Sequence, residues 1–182
     1  MKTMKTMKTT IMAVIGATVL AAAAVSLAQA PAAKPAAAAP GLNVLVAGAK
    51  PVVGKTCKLE ISSSDAMQFD KKELKIAADC KNVELTLKHS GRLPAAAMGH
   101  NWVLTKTADA QAVNSAGMAA GIKNQHVPAG DKRVIAATQV IGGGQTTVVR
   151  FATTGLVQGG DYTYFCSFPG HFAIMKGKLI VG

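Results

Sequence analysis

The sequence predicts an all-β fold, a Greek-key β-sandwich with one short inserted helix, and three observations predict it. Short segments that alternate apolar and polar residues recur from Leu59 to the C-terminus. Clusters of Gly, Pro, Asp and Ser punctuate them at close intervals. Only residues 108–120, rich in Ala with an interrupted polar face, carry helical patterning, and Gly121 is placed to end that helix. A small barrel is the alternative architecture; the sandwich is preferred.

With 182 residues the chain can enclose one sizeable core, but not two full domains once its low-complexity start is set aside. Twenty basic and 9 acidic residues give a formal charge of +11, yet from Cys57 onward 14 basic and 9 acidic residues leave only +5. No run of Arg and Lys is interleaved with aromatic side chains, and only three Arg are present, which excludes a dedicated nucleic-acid binder. Much of the hydrophobic content is Ala, so five Phe, two Tyr and one Trp must supply the bulk of the core.

The Ala excess belongs to the N-terminus. Residues 1–10 repeat Met-Lys-Thr, residues 11–27 are apolar, and Ser26-Leu27-Ala28 and Ala28-Gln29-Ala30 are small-residue cleavage patterns. Residues 1–28 therefore read as an export signal cut after Ala28, with an uncleaved membrane anchor as the alternative. Both put the folded part outside the cytoplasm, in the periplasm. Residues 29–56 hold an Ala/Pro-rich tether, PAAKPAAAAPG, and a segment in which NVLVAG can form a short strand. Gly54-Lys55-Thr56 imitates the end of a phosphate loop, but Ala49 stands where that motif needs Gly and no strand-helix unit surrounds it.

The folded domain is expected over residues 57–182. Leu59-Glu60-Ile61 alternates before a Ser-rich turn, Met67-Gln68-Phe69 is a short extended piece, and Glu73-Leu74-Lys75-Ile76 begins another strand. Residues 83–89 give the clearest case, with Val83, Leu85 and Leu87 on one face at period 2. Residues 90–94 turn the chain and residues 101–105 resume a strand. Further strands are expected at 134–136, 146–151, 162–166 and 178–181.

Cys57 and Cys80 enclose a loop of suitable size in an exported chain, so a disulfide is the first choice and two buried free thiols the alternative. Cys166 is then unpaired. It opens the stretch CSFPGHFAIM, in which Pro169 and Gly170 can turn the chain so that Cys166 and His171 face a common point. His100, at the start of a strand able to lie beside that of Cys166, is the candidate second imidazole. A thiolate, two imidazoles and a weak axial thioether, Met175, make the electron-transfer copper pattern. Zinc could take the same donors, but a structural zinc site uses four strong ligands.

The loop CSFPGHFAIMKG and the stretch MGHNWVL resemble the cupredoxin family of blue copper proteins, and among them the azurins. Four residues separate Cys166 from His171 and three separate His171 from Met175; plastocyanin-like members have the shorter Cys-to-His interval. The resemblance covers residues 57–182. It implies a cupredoxin-like sandwich, one copper ion cycling between Cu(I) and Cu(II), and His100, Cys166, His171 and Met175 as ligands, with the Gly99 carbonyl approaching from the side opposite Met175. It also implies a Cys57–Cys80 disulfide, tuning of the sulfur by Asn101 and the backbone around Phe168, and one-electron transfer rather than enzymatic turnover.

His171 is the expected electron port, its exposed edge surrounded by Phe168, Pro169, Gly170 and Phe172 and joined by Met67, Leu93, Met98 and Met118. Such an apolar patch suits brief docking of a redox protein, a c-type cytochrome or a reductase or oxidase. Phe172 stands where azurins often have a smaller residue. Three other functions compete: a copper carrier, Cys166–His171 nucleophilic catalysis, and redox catalysis at copper. The second lacks an orienting acid and the third a substrate opening. His89 closes an alternating strand and resembles a family histidine near the site but outside the copper shell; His126 is expected on a loop surface and Trp102 in the core.

Overall fold

The structure, a computed structural model, describes residues 50–182. The expected signal or anchor at 1–28, the tether at 31–41 and the short strand in NVLVAG lie outside the described residues. Among the described residues no helix is long and apolar enough to cross a membrane.

Among the described residues nine strands form two sheets. β1 (Thr56–Ser64), β2 (Gln68–Phe69), β4 (Asn82–His89) and β7 (Thr146–Ala152) make the first, in the order β2-β1-β4-β7. The second comprises β3 (Glu73–Ile76), β5 (Val103–Lys106), β6 (Val134–Ala137), β8 (Tyr162–Phe165) and β9 (Lys176–Val181), in the order β3-β9-β8-β5-β6. β1 and β4 run parallel, as do β3 and β9, and the other neighbours are antiparallel. This is the expected sandwich, with β1–β4 and β3–β9 joining strands that are distant along the chain.

Period-2 patterning determines which faces meet. In β4, Val83, Leu85 and Leu87 are fully buried and His89 follows them on the same face. They pack with Ile61, Trp102, Leu104, Phe151, Tyr164 and Leu179 in one continuous core. Trp102 lies 6.2 Å from Phe151 and 5.8 Å from Tyr164, ring centre to ring centre, which confirms it as a packing residue. A second cluster lies under helix α2 (Ala110–Ala120), where Ala110 and Val113 cover Val103, Val134 and Phe165. The sequence pattern starts this helix two residues early, because residues 107–109 form a 3-10 turn instead; Gly121, at φ 69°, ends it as expected.

Two expectations are corrected. Ser62, Ser63 and Ser64 are not a turn: they extend β1, whose parallel register reaches Ser63 opposite His89, and the chain turns at residues 65–67. Their short polar side chains disguised a strand that long-range pairing holds in place. A second helix is also present, α1 (Ala95–Met98), a single turn that starts after Pro94.

Cys57 and Cys80 form the disulfide, with Cα atoms 5.8 Å apart. It ties the start of β1 to the loop before β4. Next to it, Asn82 grips the incoming chain: its Nδ2 donates to the Val52 carbonyl (2.7 Å) and its Oδ1 accepts from the Val52 N–H (2.8 Å).

Candidate metal centre

Adjacent strands bring the donors together. β5 and β8 pair antiparallel, with Val103 opposite Phe165, so His100 just before β5 and Cys166 just after β8 arrive at the same end of the sheet. His100 is fixed by a bridge to Ile141, its N–H donating to the Ile141 carbonyl and its own carbonyl accepting in return. The loop from Ser167 to Met175 folds back on itself: His171 N–H donates to Phe168 O, Met175 N–H to His171 O, and Cys166 N–H to Met175 O. His171 and Met175 are thereby returned beside Cys166.

Cys166 Sγ lies 3.8 Å from Nδ1 of His100 and 3.6 Å from Nδ1 of His171, and the two Nδ1 atoms are 3.2 Å apart. Bonds of about 2.0 Å to nitrogen and about 2.3 Å to sulfur place trigonal donors about 3.5 and about 3.7 Å apart, so the three atoms fit one first-row ion. All three side chains are buried.

His100 is oriented by partners outside the set. The Ser64 carbonyl can only accept, so Nε2 of His100, 2.9 Å away, carries the ring proton and Nδ1 keeps its lone pair for the metal. His89 stacks on His100 with ring centres 4.6 Å apart, but both its nitrogens are engaged, Nε2 with Met98 O and Nδ1 with the Gly91 N–H. It supports the ligand and offers no donor to the centre. Met175 is fully buried in the main core, and the Gly99 carbonyl lies 4.0 Å from Cys166 Sγ.

Burial pushes the Cys166 thiol up to about 12, while the backbone N–H groups of Asn101 and Phe168 favour its thiolate. Without metal the sulfur is a thiol at neutral pH, and metal binding displaces its proton. Burial lowers His100 from 6.5 to about 4, opposed by the Ser64 carbonyl, and lowers His171 and His126 in the same direction. Both imidazole ligands are therefore neutral and ready for metal at pH 7. The linkage gives an expected result. The unfolded chain binds protons at these rings near pH 6.5 and the folded chain only at lower pH, so metal-free protein loses stability as pH falls from 6.5 towards 4. A urea midpoint that stays constant from pH 7 to pH 4 would contradict this.

Two expectations about the surroundings change. His126 is not a surface group; it is 7% exposed and its ring meets that of Phe168 edge-on at 5.3 Å. Packing between the 122–128 segment and the ligand loop buries it. His171 keeps only 3% of its surface, because the Phe168 ring lies 4.9 Å away, so its solvent-facing edge is small. Of the apolar residues expected to surround it, Leu93 and Met118 are exposed and Met67, Met98, Phe168 and Phe172 are half-buried, and Ile174 within the ligand loop is exposed as well. Ile174 was missed by the sequence reading, although it lies inside the ligand loop. So were the Ser64 carbonyl and the Ser167 hydroxyl, for which no local sequence signal exists.

Such a sandwich, holding two imidazoles and one thiolate around a single point at one end, defines a cupredoxin with a mononuclear type 1 copper site. The family model described as "Copper binding proteins, plastocyanin/azurin family" matches residues 55–182, and the chain belongs to that family as an azurin-type cupredoxin. It is 52% identical over 139 residues to azurin of Bordetella pertussis, covering 76% of this chain and 93% of the other. Its identity to azurin-1 of Alcaligenes xylosoxydans xylosoxydans is 55% over 123 residues, covering 68% and 95%. Among solved structures, an azurin (Az-iso2) from the obligate methylotroph Methylomonas sp. strain J matches with a TM-score of 0.67 at 43% identity, covering 69% of this chain and 98% of that one. Family and donor set together make the protein a copper-dependent electron carrier and not an enzyme.

Proposed function

We propose that the protein carries single electrons between redox proteins of the periplasm, exchanging them through the face around His171. The observation that carries this reading is the sealed donor triad, whose ligand atoms all lie within 4.8 Å of one another. Bound there, copper would supply a couple between Cu(II) and Cu(I). The chain's own contribution is to hold its donors in place. His100 is fixed from Ser64 and His89, His171 by its loop hydrogen bonds, and Cys166 by its own N–H donating to Met175 O. Donors so constrained rearrange little when the charge of the site changes, which is what fast transfer requires.

Met175 and the Gly99 carbonyl are the groups that would complete the set, Met175 supplying a weak thioether donor to bound copper. Support comes from the burial of both residues and from the 4.0 Å separation of Gly99 O from Cys166 Sγ. Met175→Gln, which replaces a thioether by a harder oxygen donor, is expected to lower the reduction potential while copper remains bound. Protein-film voltammetry checks this, and an unchanged potential removes Met175 from the axial position.

The exposed and half-buried apolar residues around His171 favour a small, transient docking face. A c-type cytochrome, or a reductase or oxidase, fits that face. Family membership implies the periplasm, reached through the export signal at residues 1–28, which in its uncleaved form would tether the domain to the membrane. The test compares two rates on the copper-loaded protein. Electron self-exchange, followed by NMR line broadening, should be fast, and copper loss to a chelator should take hours or longer. Rapid copper loss with slow electron exchange would instead identify a copper carrier.

A further inference from the structure

We propose that Gly117 is a positioning residue for the copper ligand Cys166, through which helix α2 sets the hydrogen bonding of the sulfur. The inference rests on the copper reading above and adds a residue to it that contacts no ligand.

Gly117 lies on the buried face of α2 with Ala110, Val113 and Asn114, one to two helical turns from each. A Cβ at this position would overlap the carbonyl oxygen of His126 and stand 3.1 Å from its carbon. Only a glycine lets the helix lie flush against that carbonyl. The carbonyl in turn accepts a hydrogen bond from Ser167 Oγ at 2.7 Å. Ser167 is the residue between Cys166 and Phe168, and its N–H donates to Asn101 Oδ1 (2.9 Å).

The segment bearing the carbonyl is held in a conformation it would not choose. Gln125 and His126 both have positive φ, 56° and 54°, the left-handed region that side-chain-bearing residues avoid. Several contacts enforce it. Asn101 Nδ2 donates to Gln125 O (2.8 Å), the Val140 N–H donates to Gln125 Oε1 (2.8 Å), and the His126 N–H donates to Gly121 O (3.0 Å). Asn101 thus holds both the strained segment and the ligand loop. Its own backbone N–H and that of Phe168, on either side of this network, are the two amides that favour the Cys166 thiolate. The chain of contact runs from Gly117 to His126 O and on to Ser167 and Asn101, the residues that directly follow the ligands Cys166 and His100.

Hydrogen bonds to a ligating thiolate draw electron density from it and raise the potential of the metal. In Gly117→Ala the methyl must push the His126 carbonyl away from Ser167, loosening the amides and lowering the potential. Ala119→Gly is the control, since it weakens the same helix at an exposed residue. Two measurements follow. In metal-free protein, Ser167 N–H exchange with solvent should speed up by about tenfold in Gly117→Ala and not in Ala119→Gly. In copper-loaded protein, the midpoint potential should fall in Gly117→Ala and stay unchanged in Ala119→Gly. Ser167→Ala should lower the potential alone, and adding Gly117→Ala to it should change nothing more.

Unchanged exchange and potential in Gly117→Ala, or equal shifts in Ala119→Gly, would overturn the proposal. If Gly117→Ala does not fold, Ser167→Ala decides, and a potential unchanged there removes the link. A parent protein that binds copper without blue colour would instead refute the copper reading, while the metal-free exchange measurement would still judge Gly117.

Discussion

Cys166→Ser is expected to abolish the intense visible absorption of the Cu(II)-loaded protein and to weaken copper binding by more than about 100-fold, the upper end of what removing a mere supporting partner costs. The sulfur is the soft donor of the set and the source of the strong charge-transfer band, whereas a serine oxygen is hard and remains protonated at neutral pH. The site cannot repair the loss. The group is fully buried, and the triad is the one His/Cys/Asp/Glu cluster among the described residues that could hold a metal ion. Two neutral imidazoles would remain, enough to bind Cu(II) weakly in a pale complex. Optical titration with Cu(II) checks both effects together, and a variant that keeps the blue band refutes the ligand assignment.

Phe151→Ala should cost about 3–5 kcal/mol of folding stability, a large share of what a domain of this size possesses. Phe151 is fully buried on β7, pairs with Val83 across the sheet and lies 6.2 Å from Trp102, the residue before β5 of the opposing sheet. Truncation would leave a cavity that the two sheets, each fixed by its hydrogen-bond ladder, can close only in part. Denaturant unfolding of the metal-free protein measures the loss. A cost below about 1 kcal/mol would mean that the sheets move together to fill the space. Phe151 lies on β7, which carries none of the copper donors, so the visible spectrum of the folded variant should match that of the parent.

Much of this was legible in the sequence because the signals are local. β4 shows its inward face at period 2, which includes His89, and the family resemblance puts that residue near the site, where it stacks on His100. The ligand loop places Cys166, His171 and Met175 within ten residues, so one tight turn unites them. What remained hidden depends on distant partners. Ser62 to Ser64 have no apolar alternation and are held as strand by pairing, Ser62 and Ser63 with β4 and Ser64 with β2. His126 sits in a polar-looking stretch, and its burial follows from the approach of α2 and Phe168, neither of which its neighbours announce. The carbonyl oxygens of Ser64 and His126 are the extreme case, since every residue has a carbonyl and only the fold selects which ones act.

Asn82 and Val52 give the domain a fixed point of attachment. β4 begins at Asn82 and ends at His89, about 23 Å further on at the rise of a strand, where His89 stacks on a copper ligand. A resin, an electrode linker or a fusion protein spliced on at residue 50 would therefore hold the domain by the start of β4. The imidazoles, at the far end of that strand, would stay free to collide with whatever delivers or removes their charge.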